Sequence, residues 1–156
     1  MDRIEVPRGD YQEDFVLWLE RQAELLRAGK FELLDVDHLI DELEGAVRAD
    51  RRELEGYLEN ITAYLLSLQY RPRYKPRHWR IKLGNARFGM GLLIDDSPSL
   101  VFDIAELAAL NYDDARRRAA WETRLPESIF PAALPYSAAE LLDDDFDPSY
   151  PPDEGS

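Results

Sequence analysis

Five apolar residues recur along the chain at alternating intervals of four and three: Leu54, Leu58, Ile61, Leu65 and Leu68. This spacing keeps all five on one side of an α-helix, where they can pack against a second helix. Because the repeat covers only about two heptads, it predicts a helix in the core of a bundle rather than a free coiled coil.

The residues before this repeat predict two further helices. The first runs from about residue 11 to residue 28, with Asp10 and Glu13 as a capping box and Gly29 as the C-terminal stop. The apolar face expected for it consists of Phe15, Trp18, Leu19, Leu25 and Leu26. The second helix follows Asp35 or Asp37 and is expected to turn four side chains inward: Leu39, Ile40, Leu43 and Val47. Because Asp50 and Glu53 form a possible cap, the pattern leaves open whether this helix continues into the next.

Prolines 72 and 76 interrupt the helical pattern, because a residue before proline prefers an extended backbone. A fourth helix is predicted from about residue 79 to residue 94, although three glycines lower its helix propensity. The face expected to be buried comprises Trp79, Leu83, Ala86, Met90 and Leu93.

The rest of the chain predicts two more helices. Ser97 is expected to cap a helix that begins at Pro98 and continues to about residue 123. Its expected inner face is Leu100, Ile104, Leu107, Asn111, Ala115 and Ala119. After a proline-rich loop, Ser137 and Glu140 form the capping box of a short last helix. The sequence therefore predicts an all-α, single-domain helical bundle of five or six helices over residues 11–148, with an N-terminal extension (1–10) and a flexible acidic, proline-rich tail (149–156).

Composition excludes several kinds of chemistry. The chain contains no cysteine, which rules out disulfides, thiolate metal sites and a cysteine nucleophile. No segment has the apolar length of a signal peptide or a membrane span, so we expect a cytoplasmic protein without membrane contact.

The charge is unevenly distributed. The formal net charge is -13, yet residues 61–94 contain no Asp or Glu. This segment holds seven cations: Arg71, Arg73, Lys75, Arg77, Arg80, Lys82 and Arg87. The segment thus carries +7 and the remainder of the chain -20.

Part of this basic segment predicts an anion site. Cations after the end of a helix interact favourably with its macrodipole, whereas cations at the start of the next helix do not. That start has no Ser, Asp or Asn cap, so we expect an anion to bind there. The predicted anion-binding residues are Arg73, Lys75, Arg77, Arg80 and Lys82. Three occupants stay open: an internal acid such as the segment "DDDFD" (143–147), an acidic partner or second copy, and nucleic acid or a phosphate ligand. We favour the first, because the acidic remainder repels a long polyanion.

No pattern predicts a metal site, a cofactor or catalytic residues. Asp35 and His38 have the spacing of a di-iron ligand pair, but such a site needs the pair twice, so we expect His38 to lie at the surface or in a first helical turn. Two acid pairs could hold Mg²⁺: Asp41 with Glu44, and Asp103 with Glu106. Pairs at this spacing are hardly more frequent than chance. Of the three tryptophans, we expect Trp18 and Trp79 in the core and Trp121 exposed.

Several segments together resemble a known family. They are "YQEDFVLWLERQAELLRAGKFELLDVDHLIDELE" (11–44), "RRELE" (51–55), "LLSLQYRP" (65–72), "WR" (79–80), "DDSPSL" (95–100) and "ETRLPESIFPAALPYSAAELLDDDFDP" (122–148). In this order they resemble the bacterial "domain of unknown function 29" family over roughly residues 11–148. The resemblance implies an all-helical fold and carries over no activity and no catalytic residue. The glycines of the fourth helix depart from the family's pattern.

These observations favour a non-enzymatic module that acts through an unknown protein partner or as a homodimer. The first alternative is nucleic-acid or nucleotide binding through the basic segment 71–87, with nucleic acid as the less favoured ligand. The second alternative is a Mg²⁺-dependent all-α nucleotide hydrolase.

Overall fold

The computed structural model describes residues 10–148, and this part of the chain contains six α-helices and no strand. The helices are α1 (Phe15–Arg27), α2 (Val36–Tyr70), α3 (Pro76–Asp96), α4 (Ile104–Leu110), α5 (Tyr112–Thr123) and α6 (Ala138–Leu142). Short 3₁₀ helices cover Phe31–Leu33, Pro98–Asp103 and Glu127–Ile129. The all-α class and the number of helices are as the sequence predicts. Residues 1–9 of the predicted extension and the whole predicted tail lie outside the described residues.

The second and third predicted helices are one continuous helix, α2, of 35 residues. The chain divides into two compact units, one ending at Arg48 and the other beginning at Ala49.

The second unit contains the main hydrophobic core. All five residues of the predicted repeat on α2 are fully buried, and the expected face of α3, which includes Trp79, is also buried. From α4 and α5, Ile104, Ala115 and Ala119 join them, as expected. The periodicity alone thus identifies most of this core.

Several predicted helix ends are wrong. The N-cap of α1 is Asp14, whose carboxylate accepts a hydrogen bond from the backbone N–H of Leu17 at 3.0 Å, and not Asp10. Helix α3 begins at Pro76, three residues before the predicted start, because proline suits the first helical position. The predicted helix over residues 98–123 is split into a 3₁₀ helix, α4 and α5, with Asn111 between the last two. Ser97 precedes Pro98 but makes no capping hydrogen bond with its side chain.

Other predicted ends are confirmed. Gly29 follows α1 with a φ of 69°, the left-handed conformation that glycine tolerates best. Ser137 and Glu140 form both hydrogen bonds of the capping box at the start of α6. Helix α3 runs unbroken through its three glycines.

The expected inner faces of the first unit are largely exposed. Among its described residues, the buried ones are Trp18 and Gln22. The large apolar side chains left exposed are Phe15, Val16, Leu19, Leu26, Phe31, Leu33, Val36, Ile40, Leu43 and Val47. The prediction that Ile40, Leu43 and Val47 are buried is therefore wrong. Helical spacing identifies an apolar face, but it does not show whether another part of the protein packs against that face.

Candidate functional site

The five predicted anion-binding residues are all exposed, and they do not converge on one site. Lys75 lines one cleft, Lys82 lines a second, and Arg80 lines a larger cavity. Their separation follows from helix geometry, because Arg80 and Lys82 are two positions apart and so point to different sides of α3.

The start of α3 lacks a side-chain cap, as the sequence predicts. Lys75 is the N-cap residue, and its backbone carbonyl accepts the N–H of Trp79 at 3.1 Å. Arg77 is exposed on the first turn, and no ion pair to it is found among residues 10–148. This helix end therefore keeps the positive electrostatic character that the sequence indicates.

The acidic segment "DDDFD" (143–147) lies along α3 in the same unit. Arg80 donates from Nε to Asp147 Oδ2 at 3.1 Å. Arg87, two turns further on, donates to the backbone carbonyls of Asp144 and Phe146 at 3.0 and 2.5 Å. An internal acid thus lies against Arg80, while Arg87 was not among the predicted site residues, although its spacing of seven from Arg80 places it on the same face.

Arg87 is the most buried of these cations. Burial lowers the pKa of its guanidinium, and the carboxylates of residues 143–145 and 147 oppose that shift. Its Nε is buried, with no hydrogen-bond partner among the described residues. Beside it, Arg80, Leu83, Phe88, Asp144 and Asp145 help to line a cavity of about 820 Å³. The ring of Phe146 lies 5.7 Å from that of Tyr136, so the acidic segment also packs on the core.

Lys82 faces a polar cleft of about 270 Å³ between α2, α3 and α5. Arg118 of α5 lines the same cleft, where it donates to Asn60 Oδ1 and, at 3.2 Å, to the hydroxyl of Tyr64. Glu59 lies 4.0 Å from Arg118. Two cations therefore share this cleft with one nearby carboxylate.

Lys75 lines a third cleft, of about 330 Å³, with Trp121 and Arg124 from the end of α5. Trp121 is 78% exposed, whereas Trp18 and Trp79 are buried, so all three predictions for tryptophan are confirmed. Arg124 ends α5 with a φ of 57°, in the left-handed region. The sequence could not predict that Lys75 and Arg124 line one cleft, because 49 positions separate them and their proximity depends on how the helices pack.

A polar cluster joins α1 to the start of α2 in the first unit. The carboxylate Oδ2 of Asp35 accepts the indole N–H of Trp18 at 2.9 Å and lies 2.7 Å from His38 Nδ1. Gln22 accepts the backbone N–H of Asp35 at 2.8 Å. The ring of Tyr11 stacks on His38 with 4.1 Å between centroids, and its hydroxyl donates to Glu42.

The charges of this cluster are mutually stabilising. The hydrogen bond to Asp35 raises the pKa of His38, and the same bond lowers the pKa of Asp35. The bond to Glu42 raises the pKa of Tyr11. His38 is half-buried in the first turn of α2, which agrees with the predicted first-turn position.

Over residues 10–148, no three His, Asp or Glu side chains are grouped so as to hold a metal ion. Asp103, of the second predicted Mg²⁺ pair, accepts from Arg51 at 3.2 Å.

Four exposed residues of α2 form a regular seam: Val36, Ile40, Leu43 and Val47. Their spacing of four, three and four is that of a coiled-coil helix. Each is between 46% and 68% exposed. We call these four residues the α2 seam.

Within the residues that the structure covers, no helix combines the length and apolarity needed to span a membrane. Comparison with curated proteins and with solved structures finds no match. The model of one family, the domain of unknown function DUF29, matches residues 11–147, which is nearly the whole chain. The chain therefore belongs to the DUF29 family.

Proposed function

We propose that this protein is a non-enzymatic cytoplasmic interaction module that pairs with a second copy of itself through the α2 seam. The exposure of the seam is the observation that carries the proposal. Leu43, at its centre, is 68% exposed, although leucine at such a spacing normally packs against another helix. The absence of cysteine suits a reducing compartment.

Helix α1 does not cover the seam. The ring of Trp18 in α1 lies 6.4 Å from that of His38, and Tyr11, just before α1, stacks on His38 and donates to Glu42. At about 100° per residue, these two positions point roughly 150° away from the seam. Within the first unit, the seam therefore lies on the side of α2 opposite to α1.

The residue types of the seam favour a parallel pair of identical helices. In the heptad that the spacing defines, Ile40 and Val47 occupy a positions and Leu43 a d position. β-Branched residues at a with leucine at d are typical of two-stranded parallel coiled coils. Leu39 then occupies a g position and Glu44 an e position. In a parallel pair, Leu39 of one copy faces Glu44 of the other, so this flanking contact places no two acids side by side.

The first unit also has reason to associate. Among its described residues, ten large apolar side chains are exposed, more than its own packing covers. Its largest buried apolar side chain is Trp18. Each Å² of apolar surface that pairing buries contributes about 25 cal/mol to the free energy of association. The entropic cost of bringing two chains together is subtracted from this gain.

The test is the mass of the protein in solution, measured by sedimentation and by light scattering over a range of concentrations. We expect a dimer for the unmodified chain and a monomer for Leu43→Glu and for Ile40→Glu. The matched control is Leu110→Glu, because Leu110 is 71% exposed on α4, outside the seam. A chain that stays monomeric at every concentration contradicts the proposal, and so does a dimer that Leu43→Glu leaves intact.

A further inference from the structure

We propose that the cleft between Lys75, Trp121 and Arg124 binds a nucleoside phosphate, with the base stacked on Trp121 and the phosphate between the two cations. This inference concerns the second unit and does not depend on self-association. All three residues line one cleft of about 330 Å³. Such a volume is at the lower end of the range for small-molecule sites, about 300 to 1,000 Å³.

Trp121 supplies a flat apolar surface that the fold leaves uncovered. The other two tryptophans are buried, whereas Trp121 is 78% exposed in the last turn of α5, between the buried Ala119 and Thr123. Exposing an indole ring to water is unfavourable, so a ring stacked on it gains hydrophobic and dispersion energy. Aromatic side chains beside cations are the usual platform on which proteins stack nucleobases.

A hydrogen bond ties together the two backbone segments that carry Lys75 and Arg124. Arg71 donates from a guanidinium nitrogen to the carbonyl of Thr123 at 2.5 Å, which ties the turn before α3 to the end of α5. Lys75 belongs to that turn, and Arg124 directly follows Thr123. The two charges therefore come from distant parts of the sequence and reach the same cleft.

The electrostatic balance of the cleft favours an anion. The stretch that contributes Lys75, residues 61–94, contains no Asp or Glu. Glu122 is the acid that lines the cleft, and its carboxylate accepts the indole N–H of buried Trp79 at 3.3 Å. Two cations thus face one carboxylate that is already engaged with the core.

A single nucleotide fits better than a long strand. The chain as a whole carries -13, and a long polyanion would meet this repulsive field beyond the cleft. A mononucleotide places its phosphate near Lys75 and Arg124 without crossing the acidic surface. The ligand class we infer is therefore a free nucleoside phosphate.

The experiment is calorimetric titration of the full chain with four probes: inorganic phosphate, adenosine, adenosine monophosphate and an oligodeoxythymidine. Quenching of tryptophan fluorescence gives an independent signal, because Trp121 is the exposed indole among the three. We expect adenosine monophosphate to bind at least about tenfold more tightly than phosphate or adenosine alone, since it uses both the stacking surface and the cations. Its affinity should fall as salt is raised from about 50 mM to about 200 mM.

Three variants locate the site. Trp121→Leu should weaken adenosine monophosphate binding by about tenfold or more and abolish the quenching, because stacking is lost. Lys75→Ala and Arg124→Ala should each weaken binding and reduce its salt dependence. Arg52→Ala is the charge-matched control, because Arg52 is exposed on α2 and does not line the cleft. Leu43→Glu should leave nucleotide binding unchanged, which separates this inference from the proposed dimer.

Three results would overturn the inference. The first is no heat and no quenching with adenosine monophosphate. The second is binding that Trp121→Leu and Arg52→Ala weaken equally. The third is an oligonucleotide that binds while the mononucleotide does not, because the occupant would then be a strand.

Discussion

Arg80 donates a hydrogen bond to Asp147 at 3.1 Å, and these two residues are 67 positions apart in the sequence. The bond holds the acidic segment 143–147 against α3, where Arg87 binds two of its backbone carbonyls. A basic helix face in an acidic protein is thus partly neutralised from within the chain.

Replacing Arg87 by methionine should loosen this segment. The substitution keeps an apolar stem but removes two charge-assisted hydrogen bonds, which leaves the carbonyls of Asp144 and Phe146 without that donor. We expect a loss of about 1 to 3 kcal/mol in the free energy of unfolding. Hydrogen exchange should also accelerate at residues 144–146. Denaturant titration and exchange mass spectrometry measure both effects. Arg52→Met, at an exposed position of α2, should change stability by less than about 0.5 kcal/mol.

Two glycines of α3 should respond differently to alanine. A Cβ at Gly84 meets no atom within 4 Å, so Gly84→Ala should stabilise the helix by about 1 kcal/mol through helix propensity. A Cβ at Gly89 would overlap the ring of Tyr57, which must then move. Gly89→Ala should therefore gain less than Gly84→Ala or lose stability. Thermal unfolding of the two variants side by side tests this order, and an equal gain in both would contradict it.

The Asp35–His38 pair should make the first unit sensitive to pH. Because the pKa of His38 is raised above its ordinary 6.5, its contribution to stability is fully present below pH 6.5 and is lost as the pH rises through the raised value. Because the pKa of Asp35 is lowered below its ordinary 3.8, its contribution is present above pH 3.8 and is lost as the pH falls through the lowered value. The pair should thus contribute most to stability between pH 3.8 and pH 6.5, where both contributions are fully present.

An NMR titration of the His38 imidazole measures the shift. We expect its pKa above 6.5 in the unmodified chain and nearer to 6.5 in Asp35→Asn, which removes the negative charge. Asp37 and Asp41 raise the same pKa, so some elevation should persist. Glu44→Gln is the control, because Glu44 instead faces Arg48 at 3.9 Å. An unchanged pKa in Asp35→Asn would contradict the assignment of the bond as its main cause.

Two buried tyrosines should differ in what their hydroxyl contributes. Tyr112 donates to the carbonyl of Pro131 at 2.6 Å, and Tyr136 donates to the side chain of Gln69 at 2.7 Å. Tyr112→Phe leaves a partly buried backbone carbonyl without this donor and should cost about 1 kcal/mol. Tyr136→Phe should cost less, because Gln69 is exposed and can bond to water instead. Chemical denaturation of both variants gives the comparison, and a larger loss for Tyr136→Phe would refute this explanation.

Much of the second unit could be predicted from spacing alone. The faces of α2 and α3 that periodicity marks as apolar are the faces that the core buries, because alternation by three and four is a local consequence of helix geometry. The capping box of Ser137 and Glu140 is equally local. The first unit shows the limit of this reasoning, since Ile40 and Leu43 have the same spacing and are exposed.

The sequence by itself determined the helical class, the buried faces of the second unit, the uncapped start of α3 and the segregation of charge. These properties depend on neighbours within a few turns, and so residue type and spacing are sufficient. Only the tertiary structure decided that Asp147 reaches Arg80, that Lys75 lines one cleft with Trp121 and Arg124, and that the α2 seam is exposed among the described residues. Such contacts join residues far apart in the chain, and they follow from how whole helices pack rather than from any local pattern.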